Sequence, residues 1–141
     1  MRYTSRTALA VAACAAITCA TAPAAAADNA VLGSTCYHGW YSFTVTATGG
    51  DIPAGSQWTS GWSAATQFPE QYGIVSDPPL FTYTRLAVAK VSVTNPNPIP
   101  AGTRVVIEPR GYPLTNKSLL RLYLQGYGGS VGRAFDDWPT C

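Results

Sequence analysis

Charge is the scarcest ingredient of this sequence. Only 11% of the residues are Asp, Glu, Lys or Arg, and there is a single His and a single Met. A helix bundle would need Leu, Glu, Lys and Ala recurring at helical spacing, and no segment shows such a stripe. A disordered polyelectrolyte would need more charge and fewer aromatic and β-branched residues than are present. One His cannot build a zinc or copper site without several thiolates. No D-x-D-x-D run supplies the six or more oxygens that calcium requires. Neither a metal nor another cofactor is therefore expected.

Long apolar runs are also missing, with one exception. Ala8 to Ala20 is apolar, is preceded by Arg2 and Arg6, and is followed by Ala25-Ala26-Ala27 ahead of Asp28. A positive start, a short apolar stretch and an A-x-A site are the parts of a secretory signal peptide. The stretch is interrupted by Thr18, Thr21 and Pro23 and is shorter than the roughly 20 residues a membrane span needs. Residues 1–27 are accordingly read as a signal peptide cleaved near Ala27. Residues 28–141 are read as one secreted domain with no membrane span.

Removing the leader changes the electrostatics. Arg2 and Arg6 carry the formal net charge of +2, so residues 28–141 are neutral. Their charges are interspersed along the chain rather than gathered in runs. A nucleic-acid partner would require a basic stripe and a lipid surface a polybasic face, so neither is expected.

Of the four cysteines, Cys14 and Cys19 lie in the leader, leaving Cys36 and Cys141. In an oxidising compartment such a pair is expected to form a disulfide. There is no C-x-x-C spacing to suggest redox chemistry. The bond would close nearly the whole domain and tie down the last residue.

What the chain does possess is a period of two. Tyr41 to Ala47 alternates apolar with hydroxyl side chains. Leu120, Leu122 and Leu124 alternate with Arg121 and Tyr123. Phe81 to Thr84, Leu86 to Thr94 and Thr103 to Glu108 are rich in β-branched or aromatic residues, as strands are. The run from Leu86 to Thr94 changes phase at Ala89 and Lys90, which predicts a β-bulge or strand switch. At most one turn of helix fits between Ser63 and Tyr72. Short strands divided by Gly, Pro and Asn turns define an all-β class: a small antiparallel β-sandwich, immunoglobulin-like or related, closed by one disulfide. The Cys…Trp…Cys spacing of immunoglobulin domains is absent.

One motif occurs twice. Ile52-Pro53-Ala54-Gly55-Ser56 returns as Ile99-Pro100-Ala101-Gly102-Thr103. Pro presets the backbone for a turn and Gly accepts angles other residues refuse, so each copy should join consecutive strands.

Catalytic equipment is thin. Gly128-Gly129-Ser130-Val131-Gly132 matches the G-x-S-x-G elbow of hydrolases. That motif requires a following helix and later Asp and His residues, whereas His38 lies far upstream. A glycine-rich hairpin loop explains the match. Asp136 and Asp137 are adjacent, so on an extended backbone they point to opposite faces and cannot share a proton.

Aromatic side chains with polar neighbours remain. If residues 56–62 form a strand, Trp58, Ser60 and Trp62 share one face. Trp58 and Trp62, with Tyr123 and Tyr127, are the candidate ligand-binding residues, because flat amphipathic rings stack on sugars or anchor proteins. The competing role for the two Trp residues is the core itself. The sequence therefore reads as a secreted, non-catalytic binding domain for carbohydrate or a cell-envelope polymer. Its alternative is a structural or protein-interaction module, such as an inhibitor, a toxin or a surface-assembly component. A small hydrolase using Asp136, Asp137 or His38 is the third reading.

Overall fold

A computed structural model of the chain describes residues 28–62, 71–111, 120–135 and 139–141. The expectations placed on residues 1–27, on the possible helical turn and on Asp136 and Asp137 fall outside these residues. Among those described there are nine strands and no helix. They are β1 (Ala30–Tyr37), β2 (Trp40–Ala47), β3 (Gln57–Trp62), β4 (Gly73–Asp77), β5 (Thr82–Ala87), β6 (Lys90–Thr94), β7 (Arg104–Arg110), β8 (Leu120–Gly126) and β9 (Gly129–Phe135). One sheet has the order β1-β2-β7-β4 and the other β9-β8-β3-β6-β5, with every pairing antiparallel. The all-β sandwich read from the sequence is the fold.

Alternation decides what lies between the sheets. Phe43 and Val45 of β2 meet Val105 and Ile107 of β7 on one side of the core. Trp58, Val91, Val93, Leu122 and Leu124 face them from the other sheet. Each such side chain contributes about 1.5–3 kcal/mol on leaving water. With so little charge in the chain, burial of this kind carries the stability.

The repeated motif sits where the chain changes sheets. The first copy leads from β2 to β3 and the second from β6 to β7, so both cross the sandwich, in opposite senses. The crossings meet at their isoleucines, where Ile52 N–H donates to Ile99 O at 2.9 Å and Ile99 N–H to Ile52 O at 3.0 Å. Both isoleucines are fully buried. Gly55 and Gly102 take φ of 80° and 90°, the left-handed backbone that the turn requires. Exchanging the two copies also exchanges β2 with β6 and β3 with β7, so the centre of the sandwich has local two-fold character. Asn95 pins the first copy, its Nδ2 donating to Pro53 O at 2.9 Å.

The phase change in the Leu86 to Thr94 run has a different origin from the one expected. The run is not one strand: a tight turn at Val88-Ala89 separates β5 from β6. The bulge lies earlier, between Arg85 and Ala87. The turn went unseen because neither Val88 nor Ala89 is a turn-forming residue type.

Cys36 and Cys141 are joined, with a Cα–Cα distance of 5.8 Å and a sequence separation of 105. The chain end is also hydrogen-bonded to the tip of the β1–β2 hairpin. Tyr41 N–H donates to Pro139 O at 2.8 Å and Cys141 N–H to Gly39 O at 3.0 Å. Among the described residues no helix is long and apolar enough to cross a membrane.

Candidate functional site

The four aromatic candidates divide between the interior and the surface. Trp58, Ser60 and Trp62 do share a face of β3, but that face is the inner one. Trp58 is 1% exposed and Trp62 5%. Trp58 meets Phe81 edge-on at 5.1 Å and Tyr127 at 6.2 Å, and its Nε1–H donates to Tyr127 O at 2.7 Å. The expectation that these two rings form a ligand platform is therefore corrected. β3 is the central strand of its sheet, and its large side chains turn inward because only the core can accept them. Ser60 follows them in, its hydroxyl donating to Tyr123 O at 2.7 Å and lying 2.7 Å from the Tyr72 hydroxyl.

Tyr127 occupies the two-residue turn between β8 and β9. Its ring is half-buried against Trp58, and its hydroxyl accepts from Asn29 N–H at 3.0 Å. Gly128 completes the turn at φ 94°, where a Cβ would come within 2.6 Å of Ala30 O. Its N–H donates to Asp28 Oδ2 at 2.8 Å. These bonds fix Asp28 and Asn29 to the hairpin, so Tyr127 serves as a clamp. The G-x-S-x-G match is explained by the same hairpin. Gly128 is in the turn, while Ser130 and Gly132 lie on strand β9, with no elbow to expose a nucleophile.

Tyr123 is the candidate that faces out. On β8 it points away from the buried Leu122 and Leu124 and stays half-exposed. Its cross-strand neighbours are glycines on both sides: Gly61 of β3 and Gly132 of β9. Neither neighbour adds a side chain, but only the Gly132 flank is open, because the Ala89 carbonyl covers the buried Gly61. Gly61 is obligatory, since a Cβ there would lie 2.1 Å from Ala89 O, the carbonyl that accepts Trp62 N–H at 3.0 Å. A shallow depression of about 400 Å³ opens beside the ring, lined by Arg121, Tyr123, Gln125, Ser130, Val131 and Gly132. Partial burial raises the Tyr123 pKa, so its hydroxyl is protonated at neutral pH. Along the same outer face stand Gln57, Thr59, Ser92, Thr94, Thr82 and Thr84, paired strand to strand. The result is a surface of hydroxyls and amides with one aromatic ring toward one end of it, on the strand next to the β9 edge.

A second polar cluster lies on the outer face of the four-stranded sheet. The Tyr37 hydroxyl donates to Asp77 Oδ2, and Arg110 Nη2 lies 3.2 Å from Glu108 Oε1. His38 takes φ 55° in the β1–β2 turn, with Nδ1 4.0 Å from the same Glu108 oxygen. The hydrogen bond to Asp77 raises the Tyr37 pKa, as do the neighbouring negative charges. Tyr37, Asp77, Glu108 and Arg110 are thereby engaged with one another. Sequence reasoning missed the cluster because its members come from three strands far apart in the chain. Among the described residues, no group of three or more His, Cys, Asp or Glu side chains is placed to hold a metal ion.

No family model, curated protein or solved structure matches the chain.

Proposed function

We propose that this chain is a secreted, non-catalytic binding domain that takes up a carbohydrate or cell-envelope polymer on the outer face of its five-stranded sheet. The observation that carries this reading is Tyr123: a partly exposed ring on the outer face whose cross-strand neighbours are both glycine, Gly132 open and Gly61 covered by the Ala89 carbonyl, with hydroxyl and amide side chains on the adjoining positions. A sugar presents an apolar face of C–H groups and a rim of hydroxyls. The first stacks on an aromatic ring and the second exchanges hydrogen bonds with Gln125, Ser130 and Thr59. An open sheet face suits a polymer, which lies across strands without being enclosed. The disulfide, which persists in oxidising compartments, supports export.

Retention on immobilised polysaccharides tests the reading. The wild-type domain should be retarded by at least one glycan. Tyr123→Ala should abolish the retardation while keeping the wild-type thermal unfolding midpoint to within a few degrees. Retardation that survives Tyr123→Ala would remove the site from consideration.

A second reading, a protein-interaction module, draws on a separate observation. Tyr83 and Leu86 of the edge strand β5, with Val88 in the adjoining turn, are 40%, 54% and 52% exposed. The edge itself is guarded by the bulge near Leu86 and by Arg85, which points to the inner side of the sheet, and both features discourage strand addition. Cross-linking in extracellular medium with Leu86→Lys as the control would test it: a partner lost on that substitution supports the module.

A further inference from the structure

The fold separates charges that the sequence intersperses. The strands of the five-stranded sheet carry Arg85, Lys90, Arg121 and Arg133 and no Asp or Glu. The four-stranded sheet carries Asp77 and Glu108 with Arg104 and Arg110, which balance. The other described carboxylates are occupied in turns: Asp28 Oδ2 accepts Gly128 N–H at 2.8 Å and Asp51 Oδ1 accepts Ala101 N–H at 2.9 Å.

Two of the four basic side chains in the five-stranded sheet have internal roles. Arg85 donates to the Tyr72 carbonyl, and Arg133 lies over the Phe135 ring at 5.0 Å. Lys90 and Arg121 are different. Both are exposed, both occupy the outer face, and neither has a partner among the described residues. They neighbour Tyr123 in two directions, one along its strand and one across the sheet. Arg121 is two positions along the same strand, about 7 Å away along the backbone. Lys90 pairs with Gly61, which pairs with Tyr123, so it stands two strands across, at about 10 Å. A ring stacked on Tyr123 would place its substituents within reach of both cations. On this face no described carboxylate competes for them.

We propose that the polymer bound at Tyr123 is an anionic glycan: sugar rings carrying carboxylate or sulfate groups, stacked on Tyr123 and held at their acid groups by Arg121 and Lys90. This rests on the function proposed above and adds the sign of the ligand's charge. Arg121 offers a carboxylate or sulfate a planar fork of donors, and Lys90 a mobile point charge. Both sites are exposed, so the contribution must weaken as salt rises.

Affinity electrophoresis of the oxidised domain through gels containing polygalacturonate, chondroitin sulfate or neutral dextran supplies the test. Retardation is expected with the acidic glycans and not with dextran, and should fade with added salt. Arg121→Gln and Lys90→Gln should each weaken it by about fivefold, the scale of an exposed ion pair. Arg104→Gln, on the other sheet, should leave it unchanged. Salt-insensitive retardation by dextran that Tyr123→Ala abolishes would overturn the charge assignment while leaving the polymer reading intact. No retardation by any glycan would overturn both. Retention of single-stranded DNA as strong as that of acidic glycans, and unaffected by Tyr123→Ala, would overturn the assignment to a glycan.

Discussion

Replacing Trp58 with Ala separates a core residue from a ligand residue, because the two roles predict opposite phenotypes. Trp58 is enclosed between Phe81 and Tyr127 and hydrogen-bonded to a backbone carbonyl. Truncating a buried Trp costs about 3–5 kcal/mol, most of it lost transfer energy and the cavity left behind. Each edge-on aromatic contact adds about 0.5–1.5 kcal/mol to the local packing, already partly contained in that figure. Losing the Nε1–H donor leaves the Tyr127 carbonyl to find another partner, at about 1 kcal/mol. A loss of about 4 kcal/mol, divided by a urea dependence of about 2 kcal/mol per molar, moves the unfolding midpoint down by roughly 2 M. For a domain whose total stability is about 5–15 kcal/mol, that leaves a fold close to failure. Trp58→Phe keeps an apolar ring and should cost about half as much. The assay is equilibrium urea unfolding followed by far-ultraviolet circular dichroism, with glycan retardation measured on whatever fraction remains folded. A Trp58→Ala midpoint equal to that of the wild type, together with lost binding, would refute the assignment to the core.

Other perturbations of the same packing have defined outcomes. Ile52→Ala and Ile99→Ala should each destabilise by about 2–5 kcal/mol. Because the two residues meet at the crossing, their double mutant should depart from additivity by about 0.5–3 kcal/mol in a urea cycle. Reduction of Cys36–Cys141 should raise the intact mass by two hydrogens and lower the thermal midpoint. The chain-entropy argument for a loop of this length approaches ~5 kcal/mol. Tyr37, Tyr41 and Tyr123 all have pKa values raised above the ordinary tyrosine value, Tyr37 by its bond to Asp77 and the other two mainly by burial. A raised tyrosine pKa means that the folded state holds the proton more tightly. Its stabilising contribution is thus complete below about pH 10 and is lost as pH climbs through the folded-state value. Thermal midpoints should consequently decline above about pH 10, and Tyr37→Phe should make that decline shallower.

The parts of the fold that alternation revealed are the central strands. β2, β6 and β8 alternate apolar with polar residues, whereas β7 carries Val105-Val106-Ile107 in a row, is buried on both faces and shows instead as a β-branched run. The strands without a legible pattern are β1, β4 and β9, and all three are sheet edges. These edge strands carry Gly33, Gly73, Gly129 and Gly132, and a strand held on one side only needs no continuous apolar face, which erases the periodic signal. β9 consequently looked like a glycine-rich loop. The cysteine pairing was legible once Cys14 and Cys19 were assigned to the leader, because that left a single pair. The orientation of β3 was not, because a period of two says which residues share a face and not which face is inside. A clue lay in the intervening residues: Gln57, Thr59 and Gly61 are polar or small, the set expected on the solvent side. Tyr123 was placed correctly on the outer face by the leucines that alternate with it. Its glycine neighbours come from other strands, so the setting that makes the ring a candidate platform existed only in the register.

Scarcity is what makes the remaining charges informative. In a chain rich in Lys and Glu, an unpaired surface cation is ordinary and carries no argument. Here most described charges are engaged locally. Asp28 and Asp51 cap turns, Asp77 receives Tyr37, Glu108 receives Arg110, Arg85 reaches a carbonyl and Arg133 covers an aromatic ring. Arg104, Lys90 and Arg121 have no such local engagement. Arg104 stands on the sheet that also holds the carboxylates. Lys90 and Arg121 stand on the sheet that holds none, Arg121 along the strand from the partly exposed Tyr123 and Lys90 two strands across from it. Solubility alone would be served as well by Lys or Glu at either position. The shared sign and the shared face are what an acidic, ring-bearing ligand requires, and reversing one of them gives the most direct check. Arg121→Glu should convert attraction for acidic glycans into repulsion, a larger loss than Arg121→Gln, with no change in the urea midpoint. Equal losses for the Glu and Gln variants would mean that Arg121 acts through shape and hydrogen bonding rather than charge.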